Sequence, residues 1–150
     1  MYKNWQRLSE SGISKHKLIQ FHSEHKYMLM SHDLLAYKEL GRLLGDSQLP
    51  IEELAEQYIA GLMCALKIKA TRKKHANTLQ HIQGYFTKQL SANERQELCQ
   101  QINDYRMGLV PLVVPLTLIK HYLMHYPKKY IAQQAYLNPY PDQLRLRYGY

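Results

Sequence analysis

The chain has few of the residues that build disulfides and metal clusters. Its 150 residues include two cysteines. Cys64 and Cys99 lie far apart and form no Cys-x-x-Cys pair, which argues against a zinc ribbon, an iron–sulfur site or a disulfide framework within the chain. We therefore expect two reduced thiols and no cofactor.

Long hydrophobic runs are also missing. The longest apolar stretch, 109–116, is interrupted by Pro111 and Pro115. It falls well short of the roughly 18 residues that a membrane-spanning helix needs. The first residues contain no continuous apolar signal core. These absences predict a cytoplasmic protein that has no membrane partner.

Signals for strands and for common catalytic loops are absent as well. The sequence shows no alternating strand pattern, no glycine-rich phosphate loop, no G-x-S-x-G elbow and no zinc-hydrolase helix motif. Its length suits one domain. We therefore expect an all-α fold, a single compact helical domain of about six to seven helices over 1–150. An arm at 1–13, which either packs through Trp5 or frays, and an irregular tail at 137–150 would flank it.

Capping residues mark several helix boundaries in the first half of the chain. Ser14 suits the N-cap of a helix that runs to about Met30. Asp33 suits the cap of the next helix, which Gly45 could end in a left-handed conformation. The region 50–90 is predicted to be either one long helix or two helices separated near Thr71.

The second half carries the clearest local signal. The segment Ser91-Ala92-Asn93-Glu94 is a capping box, so a helix should begin there and end by Gly108. Another helix should begin near Pro111 or Pro115 and end at Pro127, because proline fits the first turn of a helix but not its interior.

The segment 70–86 combines an apolar stripe with a basic, amide-rich face. At 3.6 residues per turn, one side should be buried; it comprises Ile68, His75, Leu79, Ile82 and Phe86. The opposite side should be polar and include Ala76. No carboxylate occurs from Lys67 to Lys88, so the usual local pairing of Glu with Lys is missing.

The basic face is the first candidate for a functional surface. The whole chain has 20 Lys and Arg against 12 Asp and Glu, a formal charge of +8. An excess of this kind favours phosphate-rich partners. Lysine and arginine can neutralise phosphates, while amides can contact sugars or bases. The predicted RNA-binding residues are Lys69, Arg72, Lys73, Lys74, Asn77, Gln80, Gln83 and Lys88. An ordinary solvated face, balanced by charges on other helices, explains the same pattern equally well.

Histidine spacing offers a weaker signal. The pairs His22/His25 and His121/His125 could each place two imidazoles on one helix face. No cysteine or carboxylate is spaced to complete either set, and eight histidines in a helical chain produce such pairs by chance. We therefore predict no metal site.

Two other function classes remain open. A small enzyme acting on a nucleotide or another anionic metabolite could use a pocket formed by His75, Asp104 and Arg106 near the turn at Gly108. An ion pair between Asp104 and Arg106 is the ordinary explanation of those two residues. A protein-interaction module would direct the basic face towards an acidic partner. We favour a chain that is not an enzyme by itself.

Several long motifs occur in a characteristic order. They are Phe21-His22-x-x-His25-Lys26, Tyr37-x-Glu39-Leu40-Gly41, 69–77, 79–86, Asp104-Tyr105-Arg106-x-Gly108-Leu109-Val110-Pro111-Leu112 and 136–141. In these motifs the chain closely resembles the YbgA-like family of uncharacterised bacterial domains. The resemblance extends from about Leu18 onward.

The resemblance implies a domain that occurs alone or fused to a thiouracil-desulfurase-like domain. In such fusions the partner's iron–sulfur cluster would remove sulfur, and the YbgA-like part would engage RNA, in particular thiolated tRNA. This chain lacks that cysteine-bearing partner, so desulfurase activity does not carry over. The resemblance implies a tRNA-binding accessory role, in which a separate iron–sulfur desulfurase-like protein would be a partner.

Overall fold

The structure is a computed structural model that describes residues 2–46 and 48–138. The described residues form nine α-helices and no strand. The helices are α1 Tyr2–Glu10, α2 Lys15–Glu24, α3 Lys26–His32, α4 Leu34–Asp46, α5 Ile51–Lys67, α6 Arg72–Gly84, α7 Ala92–Arg106, α8 Val113–His125 and α9 Lys129–Ala132. The all-α prediction is confirmed, whereas the predicted number of six to seven helices was too low.

Extra helices arise where the sequence pattern was ambiguous. The segment expected to be an arm or a frayed end forms α1, and its Trp5 side chain is buried. The helix predicted from Ser14 to Met30 is divided at His25, whose φ of −107° and ψ of 11° are not helical. Most of the predicted tail, 139–150, lies outside the described residues. No helix in the described part of the chain is long and apolar enough to cross a membrane.

The described residues group into two compact units that meet in sequence between Ala70 and Thr71. The prediction of one domain over 1–150 stays a prediction. The boundary coincides with the gap between α5 and α6, where the Thr71 side chain accepts a hydrogen bond from the Lys74 amide at 3.2 Å. The region 50–90 therefore contains two helices, because Thr71 caps the start of the second.

Aromatic rings organise the core of the first unit. The Trp5 ring stacks on Tyr58, with centroids 5.8 Å apart, and meets Phe21 edge-on at 5.6 Å. Gly61 allows α5 to approach α4 closely, since a Cβ there would lie 2.7 Å from a methyl group of Leu40. The core is completed by Leu18, Leu29, Leu44, Leu54 and Leu62.

His22 is buried among these rings. Its Nε2 lies 3.1 Å from the carbonyl oxygen of Tyr37, which can only accept, so Nε2 donates. Its Nδ1, 3.0 Å from the Tyr58 hydroxyl, therefore accepts from that group. Burial lowers the pKa of His22 to about 4 and raises the pKa of Tyr58. The imidazole is a neutral structural link between α2, α4 and α5.

Most predicted caps are present. The Ser14 hydroxyl accepts from the Lys17 amide at 3.2 Å, and the Asp33 carboxylate accepts from the Leu35 amide at 3.1 Å. The prediction that α4 ends at Gly45 in a left-handed conformation was wrong, because the helix continues through that residue. Glycine permits a left-handed helix end but does not require one.

The second unit contains α6 to α9, and α7 packs against both α6 and α8. The capping box at the start of α7 is confirmed by two reciprocal bonds, from the Glu94 amide to Ser91 Oγ at 3.1 Å and from the Ser91 amide to Glu94 Oε1 at 2.9 Å. Helix α8 begins at Val113 and accommodates Pro115 in its first turn. The core is built from Leu79, Ile82, Phe86, Leu98, Ile102, Tyr105, Ile119 and Tyr122.

Candidate nucleic-acid interface

Positive charge is concentrated in the second unit. The described part of this unit, 71–138, contains nine Lys and Arg but three Asp and Glu. In 1–70 the corresponding numbers are nine and eight. The excess that the sequence shows overall therefore comes mainly from the second unit, where a polyanion would be attracted most strongly.

Helix α6 divides into a buried side and an exposed side. The buried side comprises His75, Ala76, Thr78, Leu79 and Ile82. The predicted apolar stripe is thus confirmed within the helix. The assignment of Ile68 to this stripe was wrong, because Ile68 lies beyond the end of α5 and is 42% exposed. Ala76, predicted on the polar side, is buried.

The exposed side of α6 carries a lysine and two side-chain amides that are aligned along the helix axis. Lys73, Asn77 and Gln80 are exposed and occupy positions i, i+4 and i+7, which places them on one face. We call these three residues the α6 outer stripe. It extends for about 10 Å along the helix axis. A cation followed by two side-chain amides can bind a phosphate and, beside it, the edge of a sugar or base.

The other predicted contact residues do not belong to this stripe. Lys88 is exposed in the turn after α6, while Lys74 and Gln83 are half-buried on its flanks. Lys69 is exposed but belongs to the first unit. The structure therefore brings Lys73, Asn77 and Gln80 onto one exposed face.

Arg72 has a structural contact that the sequence did not indicate. Its Nη1 donates to the carbonyl oxygen of Tyr105 at 2.9 Å, and its guanidinium carbon lies 5.1 Å from the centroid of the Tyr105 ring. The side chain thus caps the carboxyl end of α7 and covers an aromatic face. The partner is 33 residues away in sequence, so no local pattern could reveal it.

The three residues of the predicted pocket have separate partners. His75 is buried, with Nδ1 2.8 Å from the hydroxyl of Tyr136. Asp104 accepts from the Gln100 amide at 2.7 Å. Arg106 is exposed and donates to Asn103 at 3.1 Å. The pocket assignment stays a prediction.

Comparison with known proteins agrees with the motifs of the sequence. The model of a family described as "Protein of unknown function (DUF1722)" matches residues 26–141. The chain belongs to this family. It is also 33% identical over 145 residues to the protein of Escherichia coli strain K12 described as "Uncharacterized protein YbgA", a match that covers 95% of this chain and 86% of the relative. The YbgA-like resemblance is thereby confirmed. No solved structure matches the chain.

The buried histidines of this DUF1722 chain form hydrogen bonds within the protein. In His25, Nδ1 donates to the carbonyl oxygen of Phe21 at 2.8 Å, and Nε2 accepts from the Asn4 amide at 3.2 Å. Burial lowers its pKa. The rings of His121 and His125 lie 4.8 Å apart on the exposed side of α8. Among the described residues, no group of three or more His, Cys, Asp or Glu side chains is arranged to hold a metal ion.

The first unit contains an open cleft. It lies between α1 and α2 and includes Asn4, Lys17 and His25 in its lining. The Lys17 ammonium donates to two backbone carbonyls, those of Ser11 at 3.1 Å and Gly12 at 3.0 Å. These polar groups hold the connection between α1 and α2 together, which is a structural role.

Proposed function

We propose that this chain is an RNA-binding accessory protein, that its ligand is tRNA, and that it serves thionucleotide or tRNA modification without desulfurase activity of its own. The observation that carries the proposal is the exposed α6 outer stripe in a unit whose described part, 71–138, contains nine basic and three acidic residues. The missing carboxylates between Lys67 and Lys88 leave its positive charge without a local counter-charge.

Binding would combine phosphate neutralisation with contacts to sugars and bases. Lys73 and Lys88 supply exposed ammonium groups, and Asn77 and Gln80 supply both donors and acceptors. Arg72 would support this surface indirectly, because its guanidinium already binds Tyr105 at the end of α7. RNA is favoured over DNA by the family resemblance to domains that occur fused to thiouracil-desulfurase-like domains.

Sulfur removal would belong to a separate iron–sulfur desulfurase-like protein in the cytoplasm. Cys64 and Cys99 are both exposed, and they belong to different units. An iron–sulfur cluster needs several thiolates gathered at one place. This chain would therefore hold or present the RNA, and the partner would supply the reactive centre.

A substitution that removes one positive charge tests the surface directly. Lys73→Gln should weaken tRNA binding and reduce the slope of log affinity against log salt by roughly one, the effect of one lost phosphate contact. Lys15→Gln is the matched control, because Lys15 is also exposed but lies in the first unit. Fluorescence anisotropy over a salt series gives both quantities. Equal losses in the two variants would show that only net charge matters and would refute the assignment to α6.

A further inference from the structure

The turn after α7 exposes two large apolar side chains. Met107 is 66% exposed and Leu109 is 74% exposed. Between them Gly108 has a φ of +81°, a conformation that suits glycine. Two backbone bonds fix the turn, from the Leu109 amide to the Asp104 carbonyl at 2.8 Å and from the Gly108 amide to the Tyr105 carbonyl at 3.0 Å. This is a Schellman motif, so the backbone presents both side chains in a defined geometry.

Leu109 lacks the contact that usually accompanies such a turn. In a Schellman motif the residue after the glycine commonly packs on an apolar residue of the last helical turn, five positions earlier. In this chain that position is occupied by Asp104, whose carboxylate binds Gln100. The Leu109 side chain therefore stays in solvent, although its backbone is ordered by the motif.

The apolar turn is joined to the start of α6. The Tyr105 carbonyl that accepts from the Gly108 amide also accepts from Nη1 of Arg72. Arg72 is the first residue of α6, and Lys73 of the α6 outer stripe follows it directly. On the turn itself, Arg106 is exposed beside Met107. Two exposed apolar side chains thus lie among cationic residues within one unit.

We propose that Met107 and Leu109 contact an unpaired nucleobase of the RNA whose phosphates bind the α6 outer stripe. This inference rests on the proposed function. The excess of cations in 71–138 favours an anionic occupant, and the exposed side chains of Met107 and Leu109 favour a ligand that also carries weakly hydrated groups. RNA loops offer both, because their bases are unstacked and can meet apolar side chains, which proteins also insert between base steps.

The test compares two RNA probes and two protein variants. The probes are an RNA hairpin with an unpaired loop and a fully paired RNA duplex with the same number of phosphates. The double variant Met107→Ser, Leu109→Ser should bind the hairpin on the order of tenfold more weakly, since it loses two apolar contacts. Its salt slope should be unchanged, because no phosphate contact is lost. Met124→Ser is the control, as Met124 is 79% exposed on α8 of the same unit.

A fluorescent adenine analogue placed in the hairpin loop gives an independent readout. Its emission should change when wild type binds and should change less with the double variant. Unaltered hairpin affinity in the double variant would overturn the inference, and so would an equal loss of duplex affinity. Loss of binding to anionic phospholipid vesicles with RNA affinity retained would assign the turn to a lipid surface and overturn it as well.

Failure of this inference can be distinguished from failure of the proposed function. If wild type binds the hairpin with a steep salt slope that Lys73→Gln reduces, the proposed function stands, and an unaffected double variant refutes only the base contact. If wild type binds neither RNA probe at low salt, both proposals fall together.

Discussion

Protonation of His22 should destabilise the first unit as the pH falls. Its Nε2 donates to Tyr37 and its Nδ1 accepts from the Tyr58 hydroxyl, so both ring nitrogens are used in the neutral form. A proton on Nδ1 would remove the acceptor for Tyr58 and leave a positive charge in a buried site. The residue is 6% exposed, and burial lowers its pKa to about 4.

The magnitude follows from the difference between the folded and unfolded pKa values. In the unfolded chain the imidazole protonates near 6.5, whereas in the folded protein it stays neutral down to about 4. Its stabilising contribution is therefore complete above pH ~6.5 and is lost as the pH falls towards ~4. Each pKa unit corresponds to about 1.4 kcal/mol, so the total loss is about 3 kcal/mol, of which about 2 kcal/mol should be lost by pH ~5.

Urea unfolding at about pH 7 and about pH 5 measures this loss. His22→Gln should reduce the difference in unfolding free energy between the two conditions by about 2 kcal/mol, because it removes the titrating group. His16→Gln serves as the control, since His16 is exposed on the same helix. His25, whose pKa burial also lowers, is present in every variant. If His22→Gln showed the same pH dependence as wild type, the reasoning would be refuted.

Two further substitutions test contacts of the second unit. Ser91→Ala should destabilise the chain by about 1 kcal/mol in urea unfolding, because it removes one half of the capping box; unchanged stability would contradict the importance of that cap. Arg72→Lys keeps the charge but loses the planar guanidinium that binds and covers Tyr105. It should therefore lower the unfolding free energy by about 1 kcal/mol. The salt slope of RNA binding should stay unchanged. Unchanged stability would contradict the structural role of the Arg72 guanidinium.

The sequence predicts those parts of this fold that depend on neighbouring residues. The caps at Ser14, Asp33 and Ser91 were foreseen because each side chain bonds to an amide two or three residues later. The exposed row of Lys73 and Asn77 was foreseen because helical periodicity alone determines which side chains share a face. Such features need no knowledge of the tertiary structure.

Other features depend on packing between distant segments. Arg72 was expected on the nucleic-acid surface, yet its guanidinium binds Tyr105, a partner that only the packing of α6 on α7 supplies. Ile68 was assigned to the apolar stripe because the pattern was extended across a helix break. In the structure the Ile68 carbonyl accepts a hydrogen bond from Nδ1 of His32, which is a contact within the first unit. The predicted helix end at Gly45 was wrong because glycine permits a left-handed conformation without requiring it, and α4 continues to Asp46.

Binding of the purified protein to bulk tRNA, with and without thiolation, is the most direct test of the central claim. The measurement is a salt series with double-stranded DNA as the control. The account predicts tighter binding to tRNA than to DNA, a steep salt slope from phosphate contacts, and a preference for thiolated tRNA. Absence of tRNA binding at low salt would contradict it and would direct the search for a ligand of the α6 outer stripe towards proteins or small anions.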